Sequence, residues 1–128
     1  MVQISSARDL RVYKKAYSLA MKIFQLSKKW PIEERYALND QIRRSSRSVC
    51  ANLREAWAKR RYMAHFVSKL TDADGENSET DTWLKFALDC AYLEPENYKS
   101  MKQECSEIGC MLCSMLKNPK SFLKDSDV

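Results

Sequence analysis

Apolar residues return along this chain at alternating steps of three and four, the period of an amphipathic helix rather than of a strand. The first such segment covers about residues 7–29, with Leu10, Tyr13, Tyr17, Ala20 and Phe24 on its expected inner stripe. Ser6 stands before it with Asp9 three residues on, a capping-box spacing, and Trp30-Pro31 ends it because proline pushes the preceding residue out of helical conformation. A second helix is predicted over about 34–59, with Leu38, Ile42, Ser45, Val49, Leu53 and Ala56 inward; the small Ser45 and Ala56 let a neighbour approach. The third, about 63–92, lines up Phe66, Leu70, Ala73, Asn77, Thr80, Leu84, Ala87 and Ala91. The fourth, 95–117, opens on Pro95, a residue favoured in a first helical turn, and carries Tyr98, Met101, Cys105, Ile108, Leu112 and Met115 up to Asn118-Pro119.

Four amphipathic helices with short connections bury their stripes together, and short loops make neighbours antiparallel. The expectation is an all-α, up-down antiparallel four-helix bundle over residues 1–119, followed by a loose polar tail over 120–128. Asn77 and Thr80 put polar groups into the third stripe. The reading preferred for them is side-chain hydrogen bonding within the bundle, or half-burial. Gly75 beside them reads equally well as a plain helical glycine or as a point of close approach for another chain.

Composition agrees with one helical domain. The 128 residues are 45% hydrophobic and 30% charged, with only two Gly and three Pro to serve the turns of an all-β fold. The opening "MVQISSARDL" lacks the apolar core of a signal peptide, and no apolar run nears the roughly twenty residues of a membrane span, which places the chain in the cytoplasm. Five cysteines, an odd number, fit a disulfide framework poorly and are expected to pack as reduced small hydrophobes. Charge is divided along the chain: residues 1–61 hold 15 Lys+Arg against 5 Asp+Glu, residues 62–128 hold 7 against 12. That division indicates a polyanionic partner, or two surfaces of opposite sign that meet each other.

The opening "DLRVYKKA", the run from Trp30-Pro31 through "EERYALNDQIRR", the Asn52-x-x-Glu55 that follows and the "YL" before the fourth helix carry a resemblance. Over roughly residues 8–117 the chain resembles the bacterial four-helix-bundle proteins of the 23S rRNA intervening-sequence family. The resemblance implies an up-down bundle assembled into a homopentameric ring. Members of that family were first noticed as reading frames inside insertions of large-subunit ribosomal RNA genes. The related accessory variability determinant of diversity-generating retroelements shares the architecture and binds nucleic acid and a reverse transcriptase through basic ring surfaces. This chain departs from the commoner family pattern at Arg54, where many members have a small residue, and at Asn77 and Thr80, where leucines are usual.

Between Gln41 and Arg61 stand seven basic residues and one acid. If the second helix runs to its end, Arg43, Arg47, Arg54 and Arg61 fall within about 40° of one another and line one flank for about 27 Å, roughly 125° from the apolar stripe. Arginine donates two parallel hydrogen bonds to phosphate and does not deprotonate. Arg43, Arg44, Arg47, Arg54, Lys59, Arg60 and Arg61 are therefore the candidate phosphate contacts, and Trp57 and Tyr62 candidate platforms for a splayed base. This reads as a non-catalytic nucleic-acid-binding accessory protein, with RNA ahead of DNA. The alternative is an oligomeric scaffold for protein–protein interaction in which the basic flank meets Asp72, Asp74, Glu76, Glu79 and Asp81 of a neighbouring subunit.

Other chemistries fail on spacing. Cys110-x-x-Cys113 has no second ligand pair for zinc and no strand-to-helix context for a redox dithiol, and reads as core and near-core thiols. Counted from Asp72, the Gly and Glu positions of a calcium loop hold Asn77 and Trp83. One histidine, no Glu-x-x-His pair and no glycine-rich phosphate loop argue against an enzyme, a metal and a cofactor.

Overall fold

The computed structural model describes residues 4–123. Its four helices are α1 (Arg11–Ser27), α2 (Leu38–Ala58), α3 (Met63–Asp89) and α4 (Pro95–Lys117), with short 3-10 turns at Ala7–Asp9, Ile32–Glu34 and Pro119–Phe122. Each helix packs on its neighbours in sequence and α4 closes on α1, while the diagonal pairs show no close backbone approach. That is the square of an up-down bundle. The most extensive pairing is α2 on α3 and the sparsest of the four is α1 on α4.

The stripes of α2 and α3 lie where their periodicity puts them. Leu38, Ile42, Ser45, Val49, Leu53 and Ala56 are buried, as are Phe66, Leu70, Ala73, Asn77, Thr80, Leu84 and Ala87. The polar pair is bonded inside the bundle: the Ser45 and Thr80 hydroxyls meet at 2.8 Å across α2 and α3, and Asn77 Nδ2 donates to the Cys105 carbonyl of α4 at 2.9 Å. Gly75 is exposed, with open space where a Cβ would stand.

Four expectations need correction. The first helix does not run unbroken from residue 7. Asp9 Oδ2 accepts the Ser5 and Ser6 backbone N–H groups, which closes a separate 3-10 turn, and an extended Leu10 then drops into the core before α1 begins. The inner stripe of α1 is Val12, Ala16, Leu19 and Ile23; Tyr17 is exposed and Tyr13 and Phe24 are half-buried, because the larger apolar residues fall on the helix flank. α3 stops at Asp89 and Ala91 is exposed at φ 63°, a left-handed helix end in which Tyr92 N–H reaches back to the Ala87 carbonyl at 2.8 Å. The segment after α4 is structured as far as Leu123. Phe122 stacks on Phe66 at 6.3 Å between ring centroids, and both Phe122 and Leu123 pack on the core; 124–128 lie outside the described residues.

Candidate nucleic-acid interface

The candidate residues start on the exposed flank of α2, since the opposite face is consumed by α3 and α1. Arg47 and Arg54 are exposed there, and Arg44 is exposed but paired to Asp40 at 3.1 Å, one turn earlier on the same helix. Arg43 is half-buried. Its Nε donates to Ser27 Oγ at 2.8 Å, and its guanidinium lies 5.0 Å from the centre of the Phe24 ring. Arg47 and Lys28 approach the same ring at 5.6 and 4.5 Å. Three cations thus surround one half-buried phenyl ring, whose negative face partly offsets their mutual repulsion.

The expected line of four arginines is interrupted. α2 ends at Ala58, and Lys59 leaves helical geometry at φ −100°, ψ 18°. Arg61 therefore does not continue the row, and the aligned part covers Arg43, Arg47 and Arg54, about 16 Å of helix. Arg60 meets Trp57: its guanidinium lies 3.7 Å from the indole centre while its Nε donates to the Trp57 carbonyl at 2.9 Å. Burial there pulls the Arg60 pKa down from its usual range. Trp57 is half-buried with one face so covered, which removes that face as a stacking platform. Tyr62 remains open, 59% exposed, with its ring 5.6 Å from that of His65.

The basic residues consequently gather into two depressions. One, of about 590 Å³, is bordered by Arg35, Tyr36, Asp40, Arg43, Arg44 and Arg47. The other, of about 670 Å³, is formed by Arg54, Lys59, Arg60, Arg61, Tyr62 and His65 with Ser5 and Ser6 opposite. Among the described residues, Arg44 alone of the seven candidate cations has an ion-pair partner. Sequence reading missed Lys28, Arg35, Tyr36 and His65. The complete Val12–Ala16–Leu19–Ile23 stripe was the available signal for the first of these, because it leaves Phe24, and Lys28 one turn on, facing α2.

On α3, Asp72 pairs with Lys69 and Asp81 with Lys102, whereas Asp74, Glu76 and Glu79 have no ion-pair partner among the described residues. Burial and then the charges of Glu79 and Asp72 raise the Glu76 pKa, while Arg44 pulls it down.

The thiols divide in a way that corrects the expectation of a uniformly buried set. Cys50 and Cys105 are buried, whereas Cys90, Cys110 and Cys113 are exposed, because Cys110 and Cys113 sit off the Cys105–Ile108–Leu112 stripe. No group of three His, Cys, Asp or Glu side chains among the described residues is arranged to hold a metal ion. No helix among them is long and apolar enough to cross a membrane.

The family model described as 23S rRNA-intervening sequence protein matches residues 8–114. The chain belongs to that family. A solved member of the S23 ribosomal protein family, a protein with unknown function from Bacteroides thetaiotaomicron, superposes with a TM-score of 0.76 at 33% identity, covering 84% of this chain and 96% of its own. No curated protein matches the chain significantly. Family membership thus agrees with the helical bundle, and the matched region contains both basic depressions except for Ser5 and Ser6.

Proposed function

We propose that this family member is a non-catalytic nucleic-acid-binding protein that grips phosphates with the flank of α2 and the α2–α3 turn. One observation carries the reading: among the described residues six of its seven candidate cations have no carboxylate partner, and they are gathered into two depressions along α2 and the α2–α3 turn. Uncompensated charge of one sign on a concave surface draws a polyanion and raises its local concentration. Each depression also carries an exposed tyrosine, Tyr36 or Tyr62. Exposed rings suit unstacked bases, which favours RNA loops or single strands over duplex DNA. The resemblance to ring-forming relatives adds a homopentamer in the cytoplasm, with a reverse transcriptase as a candidate protein partner.

The competing reading is an oligomeric scaffold. It draws on Asp74, Glu76 and Glu79, whose unpaired charges could meet the basic flank of a neighbour head to tail. Fluorescence anisotropy of the purified protein with labelled single-stranded RNA and duplex DNA, titrated across salt, separates the two. If the six unpaired cations all engage a single strand, log affinity falls against log salt with a slope of about −4. Arg47→Glu with Arg54→Glu should abolish that binding and leave the oligomer intact. Absence of binding at low salt, with the same reversals breaking the oligomer on a sizing column, assigns the flank to subunit contacts.

A further inference from the structure

We infer that the larger depression, at the end of α2, is a receptor for the terminal phosphate of a nucleic-acid strand. This rests on the nucleic-acid reading and adds the strand feature that the site selects.

Three observations converge there. First, cations from separate places face one space: Arg54 from α2, Lys59 and Arg61 from the turn, with the imidazole of His65 from α3. Arg60, held over the Trp57 ring, forms part of the wall. Second, no acidic residue among the described ones lines the depression, in contrast to its neighbour, where Asp40 engages Arg44. The nearby acids are engaged elsewhere. Asp9 Oδ2 takes the Ser5 and Ser6 backbone N–H groups and the Ser5 hydroxyl, and Glu55 is paired to Lys69 at 2.8 Å. Third, α3 begins at this wall. Tyr62 makes no side-chain cap, and the N–H groups of Met63, Ala64 and His65 have no acceptor among the described residues, so the positive end of a 27-residue helix adds to the field.

The charge selects the ligand. A phosphodiester within a strand carries one negative charge and runs on at both sides, which suits an open groove. A terminal phosphomonoester carries about −1.5 to −2 at neutral pH and offers three free oxygens, which suits a concave site with several donors. Tyr62, 59% exposed at the rim, is placed to stack the end base.

The test compares one short single-stranded RNA carrying a 5′-phosphate, a 3′-phosphate or hydroxyls at both ends, bound to the full chain at near-physiological salt. A phosphorylated end should bind at least about tenfold tighter than the hydroxyl end, as expected of added charge-assisted hydrogen bonds. Lys59→Gln with Arg61→Gln should erase that ratio and leave every strand bound more weakly, with a shallower salt slope; Arg44→Gln with Arg47→Gln should weaken every strand and retain the ratio. Circular dichroism confirms that these exposed-site variants are folded. Equal affinity for all three ends would overturn the terminal-phosphate site and leave the α2 interface standing. A second readout uses His65, the chain's single histidine, whose imidazole proton resonances are assignable without ambiguity. They should shift when a nucleoside monophosphate is added. A shift with nucleoside monophosphate or inorganic phosphate, but no strand binding at all, overturns the strand-end assignment in favour of a free small phosphate. Neither a shift nor strand binding overturns both readings.

Discussion

Replacing Asn77 with leucine should stabilise the protein, although it deletes a hydrogen bond in the middle of the core. Asn77 is 6% exposed, and its Nδ2 donates to the Cys105 carbonyl at 2.9 Å. Its Oδ1 is buried without a partner. A buried, unpaired carbonyl oxygen costs about 1–3 kcal/mol, whereas a neutral hydrogen bond contributes a net 0.5–1.5 kcal/mol or thereabouts. Cys105 lies inside α4, so its carbonyl keeps its helical N–H after the amide is gone. Leucine has the same branching as asparagine, and the space it enters is bounded by Gly109, where even an added Cβ would stand 3.6 Å from Asn77 Nδ2. Overpacking is therefore small and apolar burial is gained. The balance favours Asn77→Leu by about 1–2 kcal/mol, which at this chain length raises Tm by roughly 4–8 °C. Urea unfolding followed by far-ultraviolet circular dichroism, at fixed protomer concentration, measures it directly. A loss of 1 kcal/mol or so would refute the reasoning, because it would mean the Oδ1 is satisfied, as by an internal water.

Three further outcomes follow from other parts of the molecule. Gly75→Ala, at an exposed site within α3 with open space for the methyl, should stabilise by about 0.5–1 kcal/mol in urea unfolding; a destabilised or dissociated protein would show that another chain covers this surface. DTNB should titrate the exposed Cys90, Cys110 and Cys113 rapidly in the native protein and reach Cys50 and Cys105 only on unfolding, since burial pushes those two thiols up to about 11 and about 12. Tyr92 donates its hydroxyl to Glu34 at 2.8 Å, and the bond to that carboxylate, with burial, raises its pKa from an ordinary 10.0 to about 12. The protonated phenol is the form favoured in the fold, so its contribution is complete below pH 10 and is lost as pH rises toward 12. Ultraviolet difference titration should show a late-ionising tyrosine that returns to the ordinary range in Glu34→Gln.

Much of this bundle was written in the chain as period. The stripes of α2 and α3 came through because they are long and bounded by polar residues, and even Asn77 and Thr80 behaved as core positions, each hydrogen-bonded to a neighbouring helix although Asn77 Oδ1 is left over. The face of α1 was misread for a physical reason. Large residues such as Tyr17 and Phe24 look more hydrophobic than Ala16, but a helix packed in a square bundle buries its small residues where helices are closest and leaves rings on the flank. The same bias toward apolar residue type made Cys110 and Cys113 look like core.

The candidate site was legible in its residues and not in its shape. Everything turned on where α2 stops, and no glycine or proline marks that place. The stop is made by tertiary packing: α3 must start early enough to bury Phe66, and Arg60 folds back onto Trp57, taking its carbonyl and one face of its ring. Had the helix run on to Arg61, four arginines would stand in one straight row, a geometry that tracks a strand's backbone and reads nothing at its end. Because Lys59 leaves the helix, Arg61 is carried around to the start of α3, and one row becomes a short row plus a cup. On the proposed reading the row holds a strand and the cup its end, so the stop of α2 three residues short of Arg61 is what would separate a plain polyanion grip from a strand-end receptor.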